Sequence, residues 1–534
     1  LGASTAPEEI DDVSSALRSG VVQFLAVASL ASGASAQDRP DERLGTVHFA
    51  TSCAPAVTSQ FDRAVALLHS FEFGAAVEGF NGLLATDRGC AMAHWGLALS
   101  AWTNPMAPGN RAPSALERGR MAAEEGARLA AGATQRERDY ISAVGELFRD
   151  PGRIDQPTRV AAYARAMGEL SGRYPDDDEA KIFYALALIA SAPPTDKTYA
   201  NQLRAGRMLE ELLPTHTDHP GLTHYIIHAY DVPALAAQAR AAALRYADIA
   251  PSAAHALHMP SHTFTRIGLW RESVETNSRS MRAAEADSAI AETLHAADYA
   301  VYAQLQMRDE SAVRAILARL PELASRFDPT VVRGAAPGSA GAFALAAMPA
   351  RFALERGAWA EAAALPPAST AFFYPEALTY FARALGGARG GEPQVARAAI
   401  DSLAALSPRL EAAAEFYWAE QVEIQRIGAQ AWLELSQGRS EQALALMREA
   451  AAREDATEKA AVTPGPLAPA RELLGEMLLD LARPAEALVE FRAAMSREPN
   501  RYRSLDGARR AASAAGDRAA AAEYESALAA LTRR

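Results

Sequence analysis

The residues best suited to chemistry in this sequence are histidines, and their spacing is regular. The chain has 11, and none follows His295. His224, His228 and Asp231 stand at i, i+4 and i+7, which is one face of a helix. His255, His258 and His262 stand at i, i+3 and i+7, again one face. The two sets are in register, since His224 and His258 are 34 residues apart, as are His228 and His262. Imidazoles at this spacing with a carboxylate nearby are a donor set for zinc, copper, iron or nickel. Asp231 is expected either as a ligand or as the acceptor that fixes a histidine tautomer. His295 follows about one interval later and is expected to join the group, with Asp298 and Tyr299 beside it. Two metal-free readings stand beside this one. Each histidine is a satisfied polar group, or together they line a groove that takes an anion or peptide and titrates near neutral pH.

Other candidates carry less chemistry. His224-x-x-x-His228 has Tyr225 where a zinc-protease helix needs glutamate, so that motif is rejected. No Gly-rich phosphate loop, serine elbow or cysteine–histidine pair is present. His216 and His219 sit in a Pro- and Thr-bearing loop and read as a solvated turn, while His69 reads as structural and Trp95, next to His94, as packing or groove wall. Glu472 and Glu476 at i, i+4 read as a solvated face. Pro260, inside the second histidine helix, is expected to bend it and free the Ala256 carbonyl.

The elements that position these residues are helical. Alanine dominates the 534 residues, aromatics are 7%, and period-2 alternation of β-branched residues is scarce. The length calls for several domains or a repeat array. A net charge of −12 without a basic stripe argues against nucleic acid as a partner. Lys181, Lys197 and Lys459 are the only lysines. The apolar run Val21–Leu30 followed by Ala34-Ser35-Ala36 resembles a secretory signal, which puts the mature start near Gln37 and the protein in the periplasm or outside the cell. No other segment is long and apolar enough to span a membrane.

A turn signature recurs along the chain: Ser70-Phe71-Glu72-Phe73-Gly74, Gly268-Leu269-Trp270, Gly357-Ala358-Trp359, Gly438-Arg439-Ser440 and Gly516-Asp517-Arg518. A glycine-free variant is Arg483-Pro484-Ala485. These fragments resemble the tetratricopeptide repeat family over nearly all of residues 50–533. The resemblance implies an all-α, right-handed superhelical solenoid of helix–turn–helix units, roughly a dozen at the family's period. The expected organisation is a signal-like segment over 1–36, a histidine-bearing array over 37–332, a Gly/Pro-rich break over 333–341 and a second array over 342–534. A further loop, Val462–Pro469, interrupts that second array.

The family register also assigns roles. The 34-residue interval equals one repeat, and it places the histidines of both helices at positions that face the concave groove. Cys53 and Cys90, the only cysteines, fall just before the first helices of consecutive units, so a disulfide is expected in an exported protein. The overall pattern resembles a group of exported bacterial tetratricopeptide proteins with no firm activity attached. The leading expectation is an extracytoplasmic binding protein whose concave site holds copper, zinc or iron. The alternatives are a hydrolytic or oxidative metalloenzyme and a metal-free scaffold that binds a protein segment or self-associates.

Overall fold

The computed structural model describes residues 41–107, 109–193 and 195–533. The signal-like segment over 1–36 lies outside them. The described residues form one compact unit. Among the described residues there is no strand, and the helices pair into a dozen antiparallel hairpins in a tetratricopeptide-like solenoid. No described helix is long and apolar enough to cross a membrane.

The hairpins follow from local rules. Each tight turn needs one residue in the left-handed region, which glycine enters without a Cβ clash. Gly268, Gly357, Gly438 and Gly516 fill that place, with φ between 66° and 82°. Phe71, Arg308 and Ala482 take the same role without glycine, at φ of 55°, 59° and 56°. The apolar faces then stack: Phe49, Phe61, Trp95, Tyr140 and Phe183 interlock in the N-terminal core. Phe343, Tyr374 and Trp418 do so in the C-terminal one. Trp95 is fully buried packing, as expected.

Cys53 and Cys90 are joined in a disulfide, with Cα atoms 4.8 Å apart. The Cys53 segment is held from a second direction by Glu137. Its carboxylate accepts from the Ser52 N–H at 2.7 Å and closes a capping box with Thr134.

The C-terminal hairpins return onto the central ones. The Trp270 indole donates to the Asn500 carbonyl at 2.8 Å, and the Gln306 side chain accepts from the Tyr502 N–H at 3.0 Å. Arg501, fully buried, is gripped by Glu355 and Glu472 and by the Tyr302 hydroxyl. Here the expectation of a solvated face at Glu472 and Glu476 is corrected. Glu472 is fully buried against Arg501, and Glu476 is buried between Arg389 and Arg503. An i, i+4 acidic pair looks exposed only until the partner arginines arrive from other hairpins.

The two Gly/Pro-rich stretches pack against the histidine-bearing half. Before the helix Gly338–Glu355 begins, the Arg333 carbonyl accepts from the Gly74 N–H at 2.7 Å, and the Ala336 N–H donates to Glu292 at 2.7 Å. The carbonyls of Ala461 and Thr463 accept from the Tyr299 hydroxyl, each at 3.0 Å. Arg351, buried and paired with Asp298 at 2.9 Å, holds Thr463, Gly465 and Pro466 over the same place.

Candidate metal centre

Three consecutive hairpins supply the histidines. His224 and His228 lie on helix Pro220–Ala229, and His255 and His258 on the short helix Ala254–His258. His262 lies on Pro260–Arg266 and His295 on Ile290–Gln306. Pro260 does interrupt the second histidine helix. The turn tightens there, with the His262 N–H bonded to the Met259 carbonyl at 3.1 Å. Neighbouring carbonyls are satisfied from the next helix, Leu257 by Thr276 and Ala254 by Ser280.

The six side chains gather into two triads, His224–His228–His255 and His258–His262–His295. Within each triad, one ligand atom per residue lies within 4.8 Å of the others. The triads adjoin, with ring centroids 5.8 Å apart for His255 and His258 and 6.2 Å for His228 and His262. The repeat register put these rings on an open concave face; the structure buries them instead. The most exposed, His228, is 7% accessible. Phe71 covers the first triad, 4.4 Å from the His224 ring centroid. Tyr299 stacks on His262 at 5.0 Å under the 461–466 segment.

Four of the six rings are oriented from behind. His224 Nδ1 is 2.6 Å from the His69 carbonyl, His255 Nδ1 3.0 Å from Glu292 and His262 Nδ1 2.9 Å from Asp231. His258 Nδ1 is 2.7 Å from Asn277 Oδ1, whose amide nitrogen in turn donates to the Ser273 carbonyl at 2.7 Å. Every one of these partners is an acceptor, so each Nδ1 carries the proton and each Nε2 presents a bare lone pair inward. Nε2 of His224, His228 and His255 meets no hydrogen-bond partner, and neither does Nδ1 of His295. Nε2 of His258 and Nε2 of His262 face each other at 3.1 Å.

Asp231 stands behind the ring of His262. Its other oxygen accepts from Arg266 Nε at 2.9 Å and lies 3.6 Å from Lys459 Nζ. Asp298, expected beside His295, is turned to Arg351.

Burial sets the protonation states. It drives His224, His258 and His295 well below the ordinary imidazole range, and His228 and His262 down to about 3, with neighbouring imidazoles adding to most of these shifts. Those five rings are therefore neutral, the form that ligates. Burial alone would raise Asp231, but Lys459, Arg266 and His262 outweigh it and hold the carboxyl well below its usual range. Burial brings Lys459 down to about 8 and Glu72, with Glu292 near it, up to about 8. Glu72 accepts from the His255 N–H at 3.0 Å.

A second cluster appears where none was expected. His219 is buried and pairs with Glu179 at 3.0 Å, which also takes His69 Nε2 at 2.9 Å. The solvated-turn reading of His219 is thereby corrected, although His216 does remain partly exposed. Glu179 lies in the first helix of its own hairpin and nothing in the loop sequence points to it. Sequence reasoning also missed Glu292, Asn277, Arg266 and Lys459 as supports of the histidines, since all come from positions without a local motif.

No known protein family matches the chain, and no curated protein matches it. Among solved structures, a human IFIT1 dimer with PPP-AAAA is similar over 83% of this chain and 91% of its own, at 11% identity and a TM-score of 0.38. A human IFIT1 dimer with m7Gppp-AAAA gives 10% identity and a TM-score of 0.36 over 83% and 90%. A monomeric IFIT1 mutant with Gppp-AAAA gives 11% and 0.38 over 90% and 96%. Likenesses this distant carry nothing about the ligand or role of this chain.

Proposed function

We propose that the chain is a metalloprotein that holds two transition-metal ions side by side, one in each histidine triad. The observation that carries this reading is the pair His258 and His262. Both rings have their proton committed on the far side, to Asn277 and Asp231, yet their bare Nε2 atoms face each other at 3.1 Å. Two lone pairs so placed repel each other unless they share a cation, and imidazole nitrogens about 2.0–2.1 Å from one metal stand at such a separation. The unpartnered nitrogens of the other triad make the same case, because leaving a buried acceptor unsatisfied costs about 1–3 kcal/mol.

The donor set favours copper. It is six imidazoles, with Asp231 and Glu292 behind the rings rather than among them, and a given nitrogen site holds copper(II) most tightly of the first-row divalent ions. A three-histidine set leaves a position open for a further ligand, which suits oxidative or hydrolytic chemistry at the pair. The Cys53–Cys90 disulfide supports an oxidising compartment, periplasmic or extracellular. The groove that a protein segment would need is filled by the chain's own 461–466 segment, so metal is preferred to a peptide as the occupant.

The test is elemental analysis of untagged protein equilibrated with copper, zinc and iron in turn. Two copper ions per chain are expected. A protein that takes up none of the three would refute the proposal.

A further inference from the structure

We infer that His69, Glu179 and His219 form a third metal site, which takes an exchangeable zinc ion from solvent through an acidic cavity. It is separate from the two triads and does not depend on their being loaded.

Three elements supply the side chains. His69 ends helix Thr58–His69, Glu179 lies on Asp178–Ala190, and His219 directly precedes Pro220–Ala229. All three are buried. One oxygen of Glu179 is 2.9 Å from His69 Nε2, and the other is 3.0 Å from His219 Nε2. One ligand atom from each residue lies within 4.8 Å of the other two. Donors about 2.0–2.2 Å from one ion at tetrahedral angles stand about 3.4 Å apart, so this set closes on an ion with little movement. His69 Nδ1 is 3.0 Å from the Tyr225 hydroxyl, which can accept its N–H when Nε2 is given to a metal. His219 Nδ1 meets no partner, so Glu179 is the one polar tie of that ring. Two imidazoles and a carboxylate are a zinc donor set that leaves a fourth position for water.

Charge calls for a cation at this place. Among the described residues Glu179 is ion-paired with the two imidazoles and with no lysine or arginine. Burial pushes His69 below its ordinary range in spite of the carboxylate beside it, so His69 does not supply the positive charge. A buried carboxylate without a fixed cation is costly. The approach is acidic too. Glu179 and His219 themselves line an open cavity of about 900 Å³, together with Asp176, Asp177, Asp178 and Asp218. The two arginines of the lining are engaged, Arg136 by Asp177 and Arg173 by Asp139, and Lys181 is paired with Asp178. Arg245 comes close only at the Thr217 carbonyl, so Asp176, Glu179 and Asp218 leave the lining negative. A cleft lined by one sign of charge concentrates the opposite ion. Because this site opens to solvent and the triads are enclosed, its ion leaves on desalting and does not add to the two retained copper ions.

The test is equilibrium dialysis of the full chain, loaded with copper and desalted, against zinc chloride, with both metals counted on each side of the membrane. Wild type is expected to keep two copper ions and to gain one zinc. Glu179→Gln should keep the copper and bind zinc at least about tenfold more weakly, since even residues behind a metal ligand are worth that much. Equal zinc uptake by wild type and Glu179→Gln, or no zinc uptake by wild type, would overturn the site and leave the triads untouched. A wild type without copper would refute the metal reading of the triads, while the zinc difference between wild type and Glu179→Gln still decides this site. If Glu179→Gln does not fold, His219→Ala is dialysed in its place. Failure of both to fold overturns the proposal, because the cluster then is a structural joint.

Discussion

Acid should destabilise the metal-free protein steeply, and the histidine centre is the reason. In the unfolded chain an imidazole takes up its proton near pH 6.5, whereas His228 and His262 resist until about 3, and His224, His258 and His295 are pushed well below the ordinary range too. Below pH 6.5 the unfolded state therefore binds protons that the folded state refuses, and stability falls as pH falls. Each such group contributes about 1.4 kcal/mol per pH unit. Two buried carboxyls work the other way. Glu72 and Glu454 are raised to about 8, so between 4.5 and 8 the folded state keeps protons that the unfolded chain has released. Their stabilising effect is full below 4.5 and is lost as pH rises to 8. Five histidines against two carboxyls leave a net slope of about 4 kcal/mol per pH unit between pH 4.5 and 6.5. Over the full interval that is about 8 kcal/mol, comparable to the whole stability of a typical domain. Above pH 6.5 the two carboxyls lower stability, opposed only near pH 8 by Lys459, which burial brings down to about 8, so the optimum should lie near pH 6.5. The assay is the urea midpoint of chelator-treated protein at half-unit steps from pH 4.5 to 8, with hydrogen exchange of the 220–306 helices as the local readout. A midpoint that stays flat or rises on acidification from 6.5 would refute the neutral, buried state of these rings.

The remaining expectations are narrower. His228→Ala and His262→Ala should each leave about one copper ion per chain and the double variant none, with helicity by circular dichroism unchanged; undiminished copper in the double variant would sink the ligand assignment. At metal a thousandfold above Kd, each lost ion should also remove about 4 kcal/mol of stabilisation, measured as the difference between loaded and chelated samples. Reducing the Cys53–Cys90 bond should destabilise the first hairpins by about 2–4 kcal/mol, and equal urea midpoints with and without reductant would contradict that. Arg501→Met should cost about 3–5 kcal/mol, because it strands Glu355 and Glu472 in the interior; a loss under about 1 kcal/mol would mean the carboxyls find protons or other partners.

The hairpins were legible in the sequence because their determinants are local. A turn glycine, an apolar stripe and a repeat period lie within a few dozen residues of one another, and Gly268, Gly357, Gly438 and Gly516 each mark a turn. Arg308 shows the limit of that signal, since it adopts the same backbone in a turn that carries no glycine. The histidine faces were legible for the same reason: i, i+4 and the 34-residue interval are local and periodic. What covers those faces was not. Lys459 reaches Asp231 across more than two hundred residues of chain, and Arg351 pins Thr463 from 112 residues away. Periodicity says which way a helix face points but not what later packs on it. That is why His219 and Glu472 looked solvated and are buried.

The division into two triads follows from helix geometry. His255 and His262 are seven residues apart, about 10.5 Å along a helix axis, too far to serve one ion. The chain stops one helix at His258 and starts another at Pro260, with Met259 between them still at right-handed helical angles. His255 then completes the set begun by His224 and His228, one repeat earlier, while His258 and His262 meet His295, one repeat later. The stacking that builds the solenoid thus brings one more helix to each side of a broken one. The stripe of imidazoles is therefore shared between two neighbouring three-nitrogen cages, each closed by a helix from the adjoining repeat. Pro260→Ala, which restores the backbone hydrogen bond at the break, is expected to leave two copper ions per chain, because residue spacing rather than the proline separates His255 from His262; one ion per chain in that variant would refute this account.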